Sequence, residues 1–197
     1  MITFPNKKYH IIYADPPWSY NKRSNKNTKF GGGAMGHYPT MTLDDIKSLP
    51  VQKISQENCV LFLWVTFPRL QEGLDVIKAW GFTYKTLGFS WHKLNKDNSL
   101  FFGIGSYTKS NCEVCLFATK GKVGITKKGQ PFTDPKEKLS VRSNKVSSAI
   151  NSQRQRHSKK PTEIRHRIRQ LFGDVSRIEL FARQSAIGWD HWGNEKL

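Results

Sequence analysis

The chain has 197 residues, of which 37% are hydrophobic, and its formal net charge is +17. This length and composition fit one globular domain with its own core and argue against a membrane-spanning chain, since no apolar run approaches the roughly 18 residues that a bilayer requires. The large positive charge, with a pI near 10.0, indicates a polyanionic partner.

The N-terminal residues and the cysteines indicate the compartment. Asn6, Lys7 and Lys8 occupy the position where a signal peptide would have its apolar stretch. Three cysteines, an odd number in a chain of this length, do not make a disulfide framework and fit a reducing compartment. Cys112 and Cys115 fall within a predicted strand, where residues three apart face opposite sides, so no metal site is expected. We expect a cytoplasmic protein and leave its number of subunits open.

The first half of the chain alternates apolar runs of strand length with helical spacing. Residues 9–14 are apolar and β-branched and stop at two prolines, which predicts a buried strand that ends in a loop. Thr42 is a suitable cap for a short helix, and the continuous apolar run 59–65 predicts a strand covered on both faces. Residues 70–80 have helical spacing, and Gly81 stands where a C-terminal cap belongs.

The second half of the chain continues this alternation. Residues 84–91 and 112–119 predict two more strands, and residues 177–182 predict a last one. Residues 161–172 form the clearest helical pattern, which places Arg165 and Arg169 on a more exposed side. Strands that alternate with helices in one domain predict an α/β sheet with helices on both faces.

Two basic stretches interrupt the pattern. Residues 19–37 contain four Lys or Arg and no acid, and residues 120–160 contain twelve Lys or Arg against Asp134 and Glu137. Together they account for 14 of the 17 net charges. They fit either a nucleic-acid surface or a pair of solvated loops. Because residues 121–158 have few large apolar side chains, we interpret them as a long insertion that is ordered poorly or only on binding.

The tetrapeptide Asp15-Pro16-Pro17-Trp18 directly follows the first predicted strand. The Asp15 carboxylate and the Pro16 carbonyl can accept both hydrogens of an aromatic amine, and the two prolines hold these acceptors rigidly. Trp18 offers a flat face on which an unpaired base could stack. The alternative is a proline turn with Trp18 as a core or lid aromatic. Ligands of open α/β sheets bind beyond the carboxyl ends of the strands, where Asp15 and Arg183 are expected.

With these motifs the sequence resembles the adenine amino-methyltransferases related to the catalytic subunit of the eukaryotic mRNA adenosine methyltransferase. The resemblance implies one domain over residues 1–197, with basic loops at 19–37 and 121–158. It also implies the Rossmann-like α/β sheet of S-adenosylmethionine-dependent methyltransferases, with its motifs in circularly permuted order. Besides the tetrapeptide, the matching segments are residues 37–41, 61–66, 80–82, 91–93, 113–121, 157–161, 178–183, 188–190 and 192–195.

The resemblance implies a site for S-adenosylmethionine built from both ends of the chain. Asp15 would lie near the methionine ammonium and the target amine, and Lys160 would pair with the methionine carboxylate. Ribose hydroxyls would be reached by Arg183, Asn194 and Glu195.

The activity that the resemblance implies is methylation of the N6 amine of adenine in nucleic acid. We favour DNA, because the chain has no appended RNA-binding module and residues 188–195 are similar to those of bacterial and phage members. An RNA substrate is the alternative, as is an inactive relative that only binds nucleic acid, although the intact tetrapeptide argues against inactivity. We expect nucleic acid to be bound by Lys22, Arg23, Lys26, Lys29, His37, Tyr38, Arg154, Arg156, His157 and Lys159.

Overall fold

The computed structural model describes residues 3–19, 40–103, 105, 107–125, 134–155 and 159–193. The strands in these ranges are β1 (Tyr9–Ala14), β2 (Ser55–Val65), β3 (Thr83–Leu94), β4 (Cys112–Lys120), β5 (Val123–Ile125), β6 (Leu139–Val141), β7 (Ala149–Gln153), β8 (Arg177–Leu180) and β9 (Asp190–Trp192). The helices are α1 (Leu43–Ser48), α2 (Val51–Ile54), α3 (Leu70–Ala79) and α4 (Glu163–Phe172). No helix in the described part is long and apolar enough to cross a membrane.

Seven strands form one mixed sheet in the order β7-β3-β4-β2-β1-β8-β9. β1 lies parallel to β2 and β8, and β9 lies parallel to β8. β4 lies antiparallel between β2 and β3, so β3 points the same way as β2, and β7 is parallel to β3. The carboxyl ends of six strands and the beginning of β4 therefore meet at one edge of the sheet, which we call the carboxyl edge.

The central strands separate two hydrophobic cores. Along β2, the odd-numbered residues from 59 to 65 face a core shared with α1, α2 and α3. The even-numbered residues from 60 to 64 face a second core that contains the apolar stripe of α4. Helices therefore cover both faces of the sheet, which confirms the predicted α/β class and explains why the apolar run in β2 is unbroken.

The predicted helix caps are present. The Thr42 hydroxyl accepts a hydrogen bond from the Asp45 backbone N–H at 3.1 Å and so caps α1. Gly81 follows the C-cap of α3 with a φ of +80°, and Gly173 ends α4 with a φ of +75°. Residues other than glycine rarely adopt this backbone conformation. These caps confirm the helix ends that the sequence predicted.

The prediction that residues 121–158 are an insertion ordered poorly or only on binding is wrong for the described part of this segment, which contains β5, β6 and β7. β7 extends the main sheet beside β3. The Asn58 side chain holds the start of the insertion, because it accepts from the Lys122 N–H and donates to the Lys136 carbonyl, each at 2.8 Å. Polar residues thus order this segment by hydrogen bonds and sheet pairing. Residues 126–133 and 156–158 lie outside the described residues.

Arg165 does not lie on the exposed side of α4 that its spacing predicted. Its guanidinium donates to both carboxylate oxygens of Glu179 in β8, at 2.5 and 2.8 Å. Both side chains are largely buried, so the pair is well protected from screening by salt. This ion pair ties α4 to the centre of the sheet.

Candidate active site

Asp15 lies at the carboxyl edge where the strand order reverses. In the sheet, β2 lies on one side of β1, whereas β8 and then β9 lie on the other side of β1. A reversal of this kind opens a crevice in which open α/β sheets bind their ligands. Asp15 is the first residue after β1, and Arg183 is the third residue after β8. Arg183 is close enough to Asp15 to favour its ionised form.

Hydrogen bonds fix the loop that follows Asp15. The Trp18 backbone N–H donates to the Pro16 carbonyl at 2.9 Å, and the Met41 N–H donates to the Pro17 carbonyl at the same distance. A carbonyl oxygen accepts up to two hydrogen bonds. The contact with Trp18 is therefore compatible with the predicted role of the Pro16 carbonyl as an acceptor for an amine.

Trp18 is a core residue in the structure, with only 6% of its surface exposed. Its indole N–H donates to the Trp64 carbonyl at 3.1 Å, and its ring belongs to the core on the α3 face. A base-stacking surface needs an exposed face, so the prediction that Trp18 stacks on a base is wrong for this conformation. The alternative role as a core aromatic describes it, and Trp18 anchors the Asp15 loop to β2.

Four charged side chains form a chain of contacts at the carboxyl edge. Lys160 Nζ lies 2.8 Å from both carboxylate oxygens of Asp15. The same ammonium lies 3.2 Å from Glu113 Oε2, and Lys93 Nζ lies 2.5 Å from Glu113 Oε1. Lys160, Asp15 and Glu113 are only 11% to 17% exposed. Sequence reasoning gave Lys160 a cofactor carboxylate as its partner, whereas here it joins two carboxylates of the protein.

Burial and neighbouring charges set the protonation of this cluster. Burial raises the pKa of Asp15, and Lys160 offsets only part of that rise. Burial also raises the pKa of Glu113, but Lys160 and Lys93 outweigh it and bring the pKa to about 2. The Lys160 pKa is lowered by burial but raised more by the two carboxylates. Asp15 is therefore the more basic carboxylate and the better hydrogen-bond acceptor.

Sequence reasoning gave no role to Glu113 or Lys93, although both lie in segments that match the family. Glu113 is the only acid between Asp97 and Asp134, and it directly precedes the apolar residues 114–118 of β4. A lone acid in a basic region was the available signal. Its partner Lys160 lies 47 positions away in the sequence, so spacing alone could not reveal the contact.

We predict that Glu113→Gln changes stability in a pH-dependent way. The depressed pKa of Glu113 stabilises the fold above the ordinary value of 4.5, and this contribution disappears as pH falls toward about 2. A shift of this size corresponds to about 3 kcal/mol in the free energy of unfolding. Urea unfolding of the wild type and of Glu113→Gln should therefore show a difference in the free energy of unfolding that is largest at neutral pH and shrinks as the pH falls.

The control for this prediction is Glu57→Gln, because Glu57 is exposed on β2 and its charge should contribute little. A stability difference between the wild type and Glu113→Gln that stays constant from neutral to acid pH would contradict the proposed charge cluster.

Two of the predicted nucleic-acid contacts lie at the carboxyl edge. Arg154 is exposed directly after β7, and Lys159 precedes Lys160. Within the described ranges, no group of three His, Cys, Asp or Glu side chains is placed to hold a metal ion. The predicted site residues outside the described ones are Lys22, Arg23, Lys26, Lys29, His37, Tyr38, Arg156, His157, Asn194 and Glu195.

The family model described as MT-A70 matches residues 9–195. The Type II methyltransferase M.MunI of Mycoplasma sp is 34% identical to the chain over 204 residues. That alignment covers 97% of the chain and 79% of the bacterial protein. The span of the family model contains the positions of both Asp15 and Lys160.

Longer eukaryotic proteins are also similar. A putative N(6)-adenosine-methyltransferase MT-A70-like protein of Medicago truncatula is 28% identical over 95% of the chain, which spans 26% of that protein. The human N(6)-adenine-specific methyltransferase METTL4 is 27% identical over 97% of the chain, which spans 38% of it. One family model covers both halves of the sheet and the charge cluster at its carboxyl edge, so the chain belongs to the MT-A70 family of methyltransferases.

Proposed function

We propose that the protein transfers a methyl group from S-adenosylmethionine to the N6 amine of an adenine in DNA. The observation that carries this proposal is the buried pair of Asp15 and Lys160, at the point of the sheet where α/β folds bind ligands. Membership of the MT-A70 family supports the reaction class.

The charges of the cluster fit the amino-acid end of the cofactor. S-adenosylmethionine carries an ammonium and a carboxylate on one carbon. Asp15 offers a negative charge for the ammonium, and Lys160 offers a positive charge for the carboxylate. The two protein groups can exchange their mutual contact for these two charges without leaving a buried charge unpaired. The charge of Arg183 favours the ionised form of Asp15, and we propose that Arg183 faces the ribose together with Asn194 and Glu195.

Asp15 and the Pro16 carbonyl serve as the acceptors for the target amine. The lone pair of an adenine amine is delocalised into the ring, so the amine must be held with its lone pair directed at the methyl carbon. Two acceptors on a rigid proline turn fix that direction before the reaction begins. Burial raises the pKa of Asp15, which strengthens it as an acceptor.

When bound, S-adenosylmethionine would provide a methyl group on a sulfonium, so that the amine nitrogen gains a carbon bond, the sulfur keeps the electron pair of the broken bond, and the amine then loses a proton. Because Trp18 is buried against β2, its part is to hold the Asp15 loop in place. No side chain is required as a base, since solvent can take the proton after transfer.

The relatives favour DNA over RNA. The Type II methyltransferase M.MunI is 34% identical to the chain, and the chain spans 79% of it. The plant adenosine-methyltransferase is 28% identical, and the chain spans 26% of it. The bacterial protein therefore supports the proposal more strongly, by identity and by coverage.

The experiment that tests this proposal uses cofactor with a tritiated methyl group. The chain is incubated separately with DNA and with RNA, and each pool is then digested to nucleosides. We expect the label in N6-methyldeoxyadenosine. Label in the ribonucleoside alone would make RNA the substrate, and binding of nucleic acid without any label would indicate an inactive relative.

We predict that neutralising Arg154, Arg156 and Lys159 together, each to Gln, weakens DNA binding and flattens its salt dependence. Each lost phosphate contact lowers the slope of log K against log salt by about 0.9 for a duplex, so the triple variant should lose about 2 to 3 units of slope. Fluorescence anisotropy at increasing salt measures the slope.

The matched control for the salt experiment replaces Lys53, Lys78 and Lys85 by Gln. These three lysines are exposed at the opposite edge of the sheet. An equal loss of slope in both triple variants would show that only total charge matters and would refute a role for this edge.

A further inference from the structure

The connection between β3 and β4 exposes aromatic side chains at the carboxyl edge. We call its described residues, 95–103, 105 and 107–111, the β3–β4 extension. Phe102 is 63% exposed, and Tyr107 is fully exposed. Two large aromatic side chains with this much exposure in one short segment are an unusual feature of a free surface and indicate a contact.

Hydrogen bonds hold the extension against its neighbours. The Phe101 N–H donates to the Lys93 carbonyl at 2.9 Å, and the Gly103 N–H donates to the Ser110 carbonyl at 2.7 Å. The Gln153 side chain at the end of β7 donates to the Lys96 carbonyl at 3.0 Å. The exposed rings therefore stand on a segment that is bonded to both β3 and β7.

The extension is continuous with the charge cluster. Lys93, at its base, contacts Glu113, and Glu113 shares Lys160 with Asp15. Because β3 ends and β4 begins at the carboxyl edge, the extension rises beside the crevice at Asp15. A strand whose adenine entered the crevice would pass over this segment.

The charges around the exposed rings suit a polyanion. The Arg154 guanidinium lies 3.6 Å from the centre of the Phe101 ring, so it is fixed next to the aromatic surface. The extension itself carries Lys96 and Lys109 against a single acid, Asp97. A second copy of the chain would bring another +17 of charge, which argues against self-association through this surface.

We propose that the β3–β4 extension binds the unpaired nucleotides next to the target adenine, with bases stacked on Phe102 and Tyr107 and a phosphate on Arg154. This inference rests on the proposed function. Aromatic side chains bind bases whose faces are uncovered, and the faces of paired bases inside a duplex are covered by their neighbours. The protein therefore recognises a strand that is single or locally opened.

The test replaces both rings, with Phe102→Ala and Tyr107→Ala in the same chain. Affinity is measured by fluorescence anisotropy on a labelled single-stranded oligodeoxynucleotide that contains adenine. We expect affinity to fall at least about tenfold, because each stacked base contributes substantially. Affinity for S-adenosylmethionine, measured by calorimetry, should stay unchanged, since the variant keeps both Asp15 and Lys160.

Two further variants separate stacking from general damage. Tyr84→Ala removes a ring that is 44% exposed at the opposite end of β3, and it should leave affinity unchanged. Tyr107→Phe keeps the stacking face and should retain wild-type affinity.

The inference is overturned if the double variant binds the oligonucleotide with the same affinity as the wild type. It is also overturned if Tyr84→Ala lowers affinity as much. Failure of the proposed function has a different signature, because the wild type would then transfer no methyl group to any nucleic acid.

Discussion

Asp15→Asn should lower the rate of methyl transfer by a factor of roughly 10² to 10³. The substitution keeps the size of the side chain but removes the negative charge of the carboxylate. In our proposal this carboxylate accepts a hydrogen bond from the target amine. It also leaves Lys160, which is 2.8 Å from both oxygens of Asp15, with Glu113 as its remaining acidic partner among these residues. Initial rates at saturating cofactor and DNA measure the effect.

The same variant should bind DNA within a few-fold of the wild type, because every basic residue of the chain is kept. Asp75→Asn is the matched control, since Asp75 is partly exposed on α3 and lies away from the carboxyl edge. An Asp15→Asn protein as active as the wild type would remove Asp15 from the mechanism.

Lys160→Met should weaken binding of S-adenosylmethionine by about 10- to 100-fold, which is the effect of losing a hydrogen bond from a charged group. It should also cost about 3 to 5 kcal/mol in the free energy of unfolding at neutral pH, because Asp15 is left buried without its cation. Calorimetric titration and urea unfolding measure the two effects.

The stability cost of Lys160→Met should shrink in acid. Burial already raises the pKa of Asp15, and removal of Lys160 raises it further. A group with a raised pKa in the folded state gains stability as pH falls through that pKa. Lys78→Met on the exposed side of α3 is the control, and equal losses of cofactor affinity in the two variants would contradict the assignment.

The sequence predicted the frame that carries the site. Residues 9–14 match β1 in both bounds, and the apolar run 59–65 lies within β2. Both predictions succeed because strands buried on two faces are built mainly from apolar residues and so form continuous apolar runs. Thr42 and Gly81 also marked helix ends correctly, since caps depend on local geometry.

The remaining features depend on contacts between distant residues. β7 pairs with β3 although its sequence, Ala-Ile-Asn-Ser-Gln, has little apolar pattern, because an edge strand is held by backbone hydrogen bonds more than by burial. The burial of Trp18 depends on Trp64, which lies 46 positions away. The meeting of Glu113 with Lys160 likewise follows from the antiparallel entry of β4 at the carboxyl edge.

The central claim is that Asp15 and Lys160 form the pocket for the amino-acid end of the cofactor. A crystal structure of the chain with S-adenosylmethionine tests it most directly. We expect the cofactor ammonium to donate to Asp15 and its carboxylate to accept from Lys160. A cofactor bound elsewhere, with the 2.8 Å contact between Lys160 and Asp15 intact, would contradict the claim.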